Sequence, residues 1–281
     1  MRVAAVDVGS NTIRLLVARA DRGIEPLESE RVRLSLGAEI ERTGFVSDVS
    51  VAAAAKAVRK LCARARGHLV EALDVFVTAP GRQSKNATEL VAALSRAAAH
   101  PVRVLTTEEE GRLAYVGAVA TADVALDGRI AVCDVGGAST EIAIGDATRE
   151  PTWLRSVDLG SVRLTARADH AGEVAAAFDS ISTPSVDVAL AVGGSARAAR
   201  RLVGPWLGEE ELAAAMRIFE TKSERTITRR YGVHKSRVGI LGAGVELLAE
   251  LQRRLGVPLH VCSGGIREGA VLDSVRALRA A

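Results

Sequence analysis

Two stretches of this 281-residue chain place an acid, glycine and hydroxyl residues at matching spacing. Residues 7–12 read DVGSNT and residues 134–140 read DVGGAST, and each follows an apolar run, VAAV in the first case and IAVC in the second. Glycine lets a turn adopt unusual backbone angles and lets a bound group come close to the main chain, where N–H groups can cradle an anion. The adjoining aspartate would repel a bare phosphate. The pairing makes sense with Mg2+ between the two, because Mg2+ binds through one or two carboxylates, waters and substrate phosphates. Gly9, Ser10, Asn11 and Thr12 then offer N–H and side-chain donors to one phosphoryl group, and Gly136, Gly137, Ser139 and Thr140 offer the same from a facing domain. A single Asp-x-Gly turn after a strand is ordinary. The repeat of that turn at an offset of 127 residues (134 minus 7) is what points to function, as two jaws on one phosphate chain.

Hydrolysis of a terminal phosphoanhydride needs an in-line water, neutralisation of the phosphoryl oxygens and a group to orient the water. The run Glu108-Glu109-Glu110 contains the candidate base. Acids in a first helical turn also complement the helix dipole without any function. Neighbouring helical residues point about 100° apart, so at most one of the three faces the water.

Other chemistries fit less well. Cys62, Cys133 and Cys262 lie far apart with no CxxC spacing, which reads as buried thiols rather than a zinc site or disulfide frame. The five histidines show no metal-ligand spacing, and a formal charge of +3 is too balanced for nucleic-acid binding to be expected. No uninterrupted apolar stretch approaches the roughly 20 residues of a membrane span, and MRVAAVDVGS lacks a signal-peptide core. The expectation is a cytoplasmic protein without membrane or nucleic-acid partners, with a homodimer left open.

The elements that must position these residues alternate between strand and helix, which argues an α/β fold. Strands are expected at residues 3–6, 13–18, 31–36, 73–78 and 102–105 in the first half, and at 130–133, 141–144, 154–159, 188–192 and 259–262 in the second. Helices are expected after Ser47, over 85–99, from Thr107 as N-cap, over 209–231 and 236–256, and at the C-terminus. The polar link TADVALDGR separates two domains, 1–124 and 125–265.

The motifs VAAVDVGSNTIRLLVA, VTAPGRQSKNATEL, TTEEEGRLAYVGA, VCDVGGASTEIAIG, DLGSVRLT, AVGGSARA and VCSGGIREGAVL occur in the order seen in the Ppx/GppA phosphatases, which the chain resembles over essentially its whole length. The resemblance implies the actin/sugar-kinase/Hsp70-like fold, two ribonuclease H-like domains with the active site in the cleft between them, and a C-terminal helix, 266–281, packed back on the first domain. It also implies Glu110 as the catalytic glutamate, Glu109 serving if the register slips. Arg82 becomes the phosphate-side arginine. Asp134 and Asp7 become the Mg2+ residues, and Glu141 a second catalytic carboxylate orienting metal or water. Arg14 and Arg112 are secondary phosphate or salt-bridge residues, and GSVR at 160–163 closes the second domain's side of the site.

The chain departs from the family pattern at Ala138, where the second loop usually has a third glycine, and that methyl stands where a phosphate would approach. The activity implied is an exopolyphosphatase acting on inorganic polyphosphate. Its alternatives are a guanosine pentaphosphate phosphohydrolase and a catalytically weak protein that binds polyphosphate or an alarmone.

Overall fold

The computed structural model describes residues 1–21, 23–148 and 150–280. The elements run β1 (Arg2–Val8), β2 (Thr12–Ala20), β3 (Ile24–Arg33), α1 (Leu36–Thr43), α2 (Asp48–Gly67), β4 (Ala72–Val77), α3 (Ala79–Gln83), α4 (Ala87–Ala98), β5 (Arg103–Val104) and α5 (Thr107–Thr121). They continue with β6 (Ile130–Val135), β7 (Thr140–Gly145), β8 (Trp153–Val157), α6 (Ser161–Thr165), α7 (His170–Phe178), β9 (Val188–Val192), α8 (Gly193–Val203) and β10 (Trp206–Leu207). The last are α9 (Glu209–Thr221), α10 (Glu224–Tyr231), α11 (Lys235–Val238), α12 (Leu241–Leu255), β11 (Leu259–Val261) and α13 (Ile266–Ala280). Two compact units result, residues 1–120 with 266–281, and residues 121–265.

The first unit is a five-stranded sheet in the order β3-β2-β1-β4-β5. β1, β2 and β3 are antiparallel neighbours, whereas β4 and β5 join in parallel. Strand side chains alternate between faces. Ala4, Val6 and Val8 of β1 therefore pack with α2 and α4 residues such as Val58, Leu61 and Leu94, while Val3 and Ala5 pack on Leu113 of α5 and Ala270 and Val271 of α13. By the same alternation Asp7 belongs to the α5 face. The α5–α13 packing is close: a Cβ on Gly269 would stand 2.1 Å from the Leu113 carbonyl oxygen, so only glycine fits. Arg112 pairs with Asp273 across the same two helices.

The second unit is a six-stranded sheet in the order β10-β11-β9-β6-β7-β8. Read from β8, it repeats the 3-2-1-4-5 order of the first sheet, with β10 added at the edge. The antiparallel β6–β7–β8 and parallel β6–β9–β11 pairings repeat as well. Two mixed sheets of one repeated order, with helices, match the pair of ribonuclease H-like units that the resemblance implies.

Some local expectations are corrected. The strand placed at 31–36 is β3, ending at Arg33; it carries Pro26 at an irregular step beside Val17/Ala18, as suits an edge strand. Helix 209–231 breaks at Lys222-Ser223, where the Ser223 side chain caps α10. Helix 236–256 breaks at Gly239-Ile240. The Pro80-Gly81 turn is a short helix, α3, which takes Pro in its first turn without losing a bond. No helix among the described residues is long and apolar enough to cross a membrane.

Candidate active site

Each Asp-Gly stretch is the tip of a hairpin. Gly9 N–H donates to Thr12 O at 3.0 Å, and Gly136 N–H donates to Ser139 O at the same 3.0 Å, so the 127-residue offset holds for the hydrogen bond as well as the residues. Later segments then fix each tip through its carbonyls. Ser10 O accepts from Gly37 N–H at 2.8 Å and Asn11 O from Leu34 N–H at 3.1 Å. Gly136 O accepts from Ser161 N–H at 3.0 Å, and Gly137 O from Val162 N–H at 2.8 Å and Arg163 N–H at 3.1 Å. Ser161 Oγ adds a bond to Gly136 O at 3.1 Å. With the carbonyls anchored, the N–H groups of Ser10, Asn11, Gly137 and Ala138 donate to no group among the described residues. Main-chain donors in such positions find water or a ligand.

The GSVR segment expected to close the second half is thus a latch on the second loop. Gly160 is indispensable to that contact, since a Cβ there would lie 2.5 Å from the Gly137–Ala138 peptide. One of the expected donors is used internally. Thr140 is fully buried and its hydroxyl donates to Leu159 O at 2.7 Å, so it serves the hairpin instead of a ligand. Ala138 is buried, at 4% exposure.

The register sets the carboxylates. Asp134 of β6 is paired directly with Glu141 of β7, and both are buried, at 8% and 3% exposure. Ser156 of β8 donates to Glu141 Oε1 at 2.9 Å. Gly193, at φ +89°, lies so near that a Cβ would stand 2.4 Å from Asp134 Oδ1, which makes the β9–α8 turn a wall of this pocket of charge. The equivalent position in the first unit differs: Asp7 is paired across β1–β2 with Arg14. Burial, with the Asp134 charge beside it, pushes the Cys133 thiol up to about 12, so it is a neutral filler and not a nucleophile.

The glutamate run divides by role. Thr106 and Glu109 form a capping box, with Glu109 N–H donating to Thr106 Oγ1 at 3.1 Å and Thr106 N–H to Glu109 Oε2 at 2.8 Å. The N-cap is therefore Thr106 and not Thr107. Glu109 also pairs with Arg103 at 3.2 Å. Glu108 is exposed, its carboxyl held below the ordinary range by its own backbone N–H and by Thr106. Only Glu110 turns inward, at 5% exposure, where it pairs with Arg82. Arg82 reaches it from α3 and is steadied by a 2.6 Å bond to Leu105 O. The Nη2 of Arg82 is buried with no hydrogen-bond partner among the described residues. Asn86 clamps Val46 through both its amide atoms, at 3.0 and 2.8 Å.

Sequence reasoning missed Ser156 and the Gly37–Ser10 contact, in which a Cβ on Gly37 would fall 2.7 Å from Ser10 Cβ. Neither has a local signature.

Comparison with known proteins places the chain in a family. The pattern of the Ppx/GppA phosphatase family matches residues 15–191. A guanosine-5'-triphosphate,3'-diphosphate pyrophosphatase of Vibrio cholerae is 25% identical over a 300-residue alignment covering 98% of this chain, which spans 60% of that protein's length. Exopolyphosphatase 2 of Mycobacterium tuberculosis is 30% identical over 271 residues, 91% of this chain and 80% of the relative. The crystal structure of the Aquifex aeolicus family member superposes with a TM-score of 0.82 over 99% of this chain and 98% of that one, at 23% identity, which speaks to the fold alone. The chain belongs to the Ppx/GppA phosphatase family.

Proposed function

We infer that the protein is a Mg2+-dependent phosphoanhydride hydrolase that releases terminal phosphate from inorganic polyphosphate. The observation that carries the reading is the inward turn of Glu110, alone of the three acids, against the guanidinium of Arg82. A buried carboxylate at a helix start, with a cation fixing its orientation, suits a general base that takes a proton from water. Arg82 has a further buried N–H to give, which suits a phosphoryl oxygen. The N–H groups of Ser10, Asn11, Gly137 and Ala138 are donors of the kind that cradle phosphate.

Among the described residues no three His, Cys, Asp or Glu side chains gather as a metal cage. Mg2+ does not require one, since it is held through one or two carboxylates and completes its shell with water and phosphate. The adjacent carboxylates Asp134 and Glu141 fit that requirement. When bound there, Mg2+ supplies charge neutralisation for phosphoryl oxygens.

The test is phosphate release from long-chain polyphosphate and from guanosine pentaphosphate, side by side with Mg2+, for the wild type and Glu110→Gln. General-base loss costs roughly 10^2- to 10^4-fold. Equal rates for the two proteins would overturn the role of Glu110, and faster turnover of the nucleotide would overturn the choice of substrate.

A further inference from the structure

The formal charge of +3 is not spread evenly along the chain. Residues 222–237 hold six Lys and Arg against the single acid Glu224, a net of +5, so the rest of the chain sums to −2 (+3 minus +5). A balanced total conceals one strongly basic segment, and a charged partner responds to the local field rather than to the total.

The segment is rooted in the second unit. Ser223 Oγ accepts from Thr226 N–H at 3.2 Å and caps α10, which ends at Gly232 in the left-handed region, φ +66°. Arg201 of α8 donates to Gly232 O at 2.9 Å. Ile227, Val233 and Val238 are buried and anchor α10 and α11 in the unit's core. Successive helical residues turn by about 100°, which sets Arg225 and Arg229 within about 40° of each other and roughly opposite Ile227. Lys222, Arg225, Arg229, Arg230 and Lys235 are all exposed. Among the described residues Lys222, Arg225, Arg229 and Lys235 enter no ion pair. The arginine pair of α12 behaves differently, since Arg253 and Arg254 share Glu250 at 2.8 and 2.5 Å. Arg229 and Arg230 in the last turn of α10 complement its dipole, but Arg225 in the first turn opposes it, and like charges four apart weaken a helix. Folding therefore gives no account of Arg225.

The chemistry of this surface selects among anionic partners. Four of the six cations are Arg, whose fork of N–H donors matches phosphate. Every exposed residue of 222–237 is polar, charged or glycine. A helix that lies on a membrane inserts apolar side chains, and a protein interface has an apolar centre, so neither partner fits. Single strands bind by stacking bases on aromatic rings. The segment's one ring, Tyr231, is half-buried and has Arg230 over it at 5.5 Å. A ligand with its phosphates outside and its bases turned inward meets all of these conditions.

We propose that α10 and α11 form a docking surface for the sugar-phosphate backbone of double-stranded nucleic acid, bound without regard to base sequence. The surface is independent of the hydrolase reading, because it uses none of the residues assigned to catalysis. It reverses the expectation drawn from the total charge.

The test is fluorescence anisotropy of the full chain with labelled duplexes of about 20 base pairs, as DNA and as RNA, across roughly 50–200 mM salt. Arg225→Gln/Arg229→Gln removes two charges and keeps good helix formers. Lys222→Gln/Lys235→Gln removes two from outside α10, so a change in that helix cannot explain a shared result. Lys56→Gln/Arg59→Gln, exposed on α2, removes the same net charge elsewhere. Each phosphate contact contributes about 0.9 to the slope of log K against log salt. Both variants in the segment should show a slope shallower by about 2 and an affinity roughly 10- to 100-fold lower at about 0.1 M salt, for either duplex and for unrelated sequences. The α2 variant should bind as the wild type does, and phosphate release should be unchanged in all three. The proposal is overturned if the wild type binds neither duplex, or if the α2 variant loses as much affinity as the others. It also falls if the segment variants lose affinity for phosphatidylserine vesicles or for long-chain polyphosphate but not for the duplexes.

Discussion

Replacing Gly160 with alanine probes the idea that the second loop is positioned from behind. Gly160 adopts φ −124° and ψ 175°, an extended conformation open to any residue, so the substitution adds no backbone strain. The added methyl would stand 2.5 Å from Gly137 C and Ala138 N, whereas ordinary contact begins at 3.4 Å, so loop and latch must separate by about 0.9 Å. Neither partner is a flexible side chain, and the latch bonds from Ser161, Val162 and Arg163 resist the shift. Overpacking of this kind costs about 1–3 kcal/mol of stability. A displacement of about 1 Å in a positioning element costs about 10^2-fold in turnover. Gly67→Ala is the control, because a Cβ there meets nothing within 4 Å. Phosphate release and thermal unfolding, measured on both variants, decide the matter. The expected pattern is a Gly160→Ala protein with kcat reduced about 10^2-fold and a lowered Tm, beside an unaffected Gly67→Ala. A Gly160→Ala protein with wild-type kcat and Tm would refute the latch.

Burial pushes the thiol of Cys62 up to about 11 and those of Cys133 and Cys262 up to about 12. At pH 8 iodoacetamide should label none of them in the native protein and all three in denaturant, as read by intact mass. Burial pushes the Glu250 carboxyl upward, but hydrogen bonds from Arg253 and Arg254 outweigh it and leave the group below its ordinary 4.5. A depressed carboxylate contributes stability above the unfolded-state value and loses it as the pH falls through the folded value. Glu250→Gln should therefore lower the Tm at pH 7 and match the wild type near pH 2. A Tm difference that persists in acid would count against the ion pair.

Much of the site was legible because it is built from local signals. A strand entering Asp-x-Gly predicts a hairpin, and both hairpins formed with the same closing bond. The glutamate run shows where local signals stop. TTEEE contains two overlapping capping boxes, Thr106 with Glu109 and Thr107 with Glu110, and sequence cannot rank them. Tertiary structure ranks them: Arg82, 28 residues upstream in the chain, draws Glu110 inward and leaves Glu109 to the cap. The latches are invisible for the same reason. Gly37 and Gly160 are ordinary glycines until the carbonyls they approach, Ser10 O and Gly137 O, are brought to them by folding.

The register of the two hairpins also separates their chemistry. Asp7 and Asp134 are equivalent by the 127-residue offset, and so are Arg14 and Glu141, the residues paired with them. In the second unit the directly opposed residues are both carboxylates; charges about 5 Å apart repel by about 3 kcal/mol at an effective dielectric of 20, and a divalent cation would relieve that repulsion. In the first unit the residue opposite the aspartate is an arginine and not a second carboxylate, so that repulsion is absent there. The sequence makes the two aspartates look alike as metal residues; the register sets a second carboxylate beside Asp134 alone, which on the Mg2+ reading proposed above favours Asp134. Asp134→Asn should raise the Mg2+ concentration needed for half-maximal thermal stabilisation by at least about tenfold, the equivalent of about 1.4 kcal/mol. Asp7→Asn should move it far less, while still slowing phosphate release through the loop it supports. Equal shifts in the two variants, or a larger one in Asp7→Asn, would mean that the charge opposite each aspartate does not decide where the metal is held.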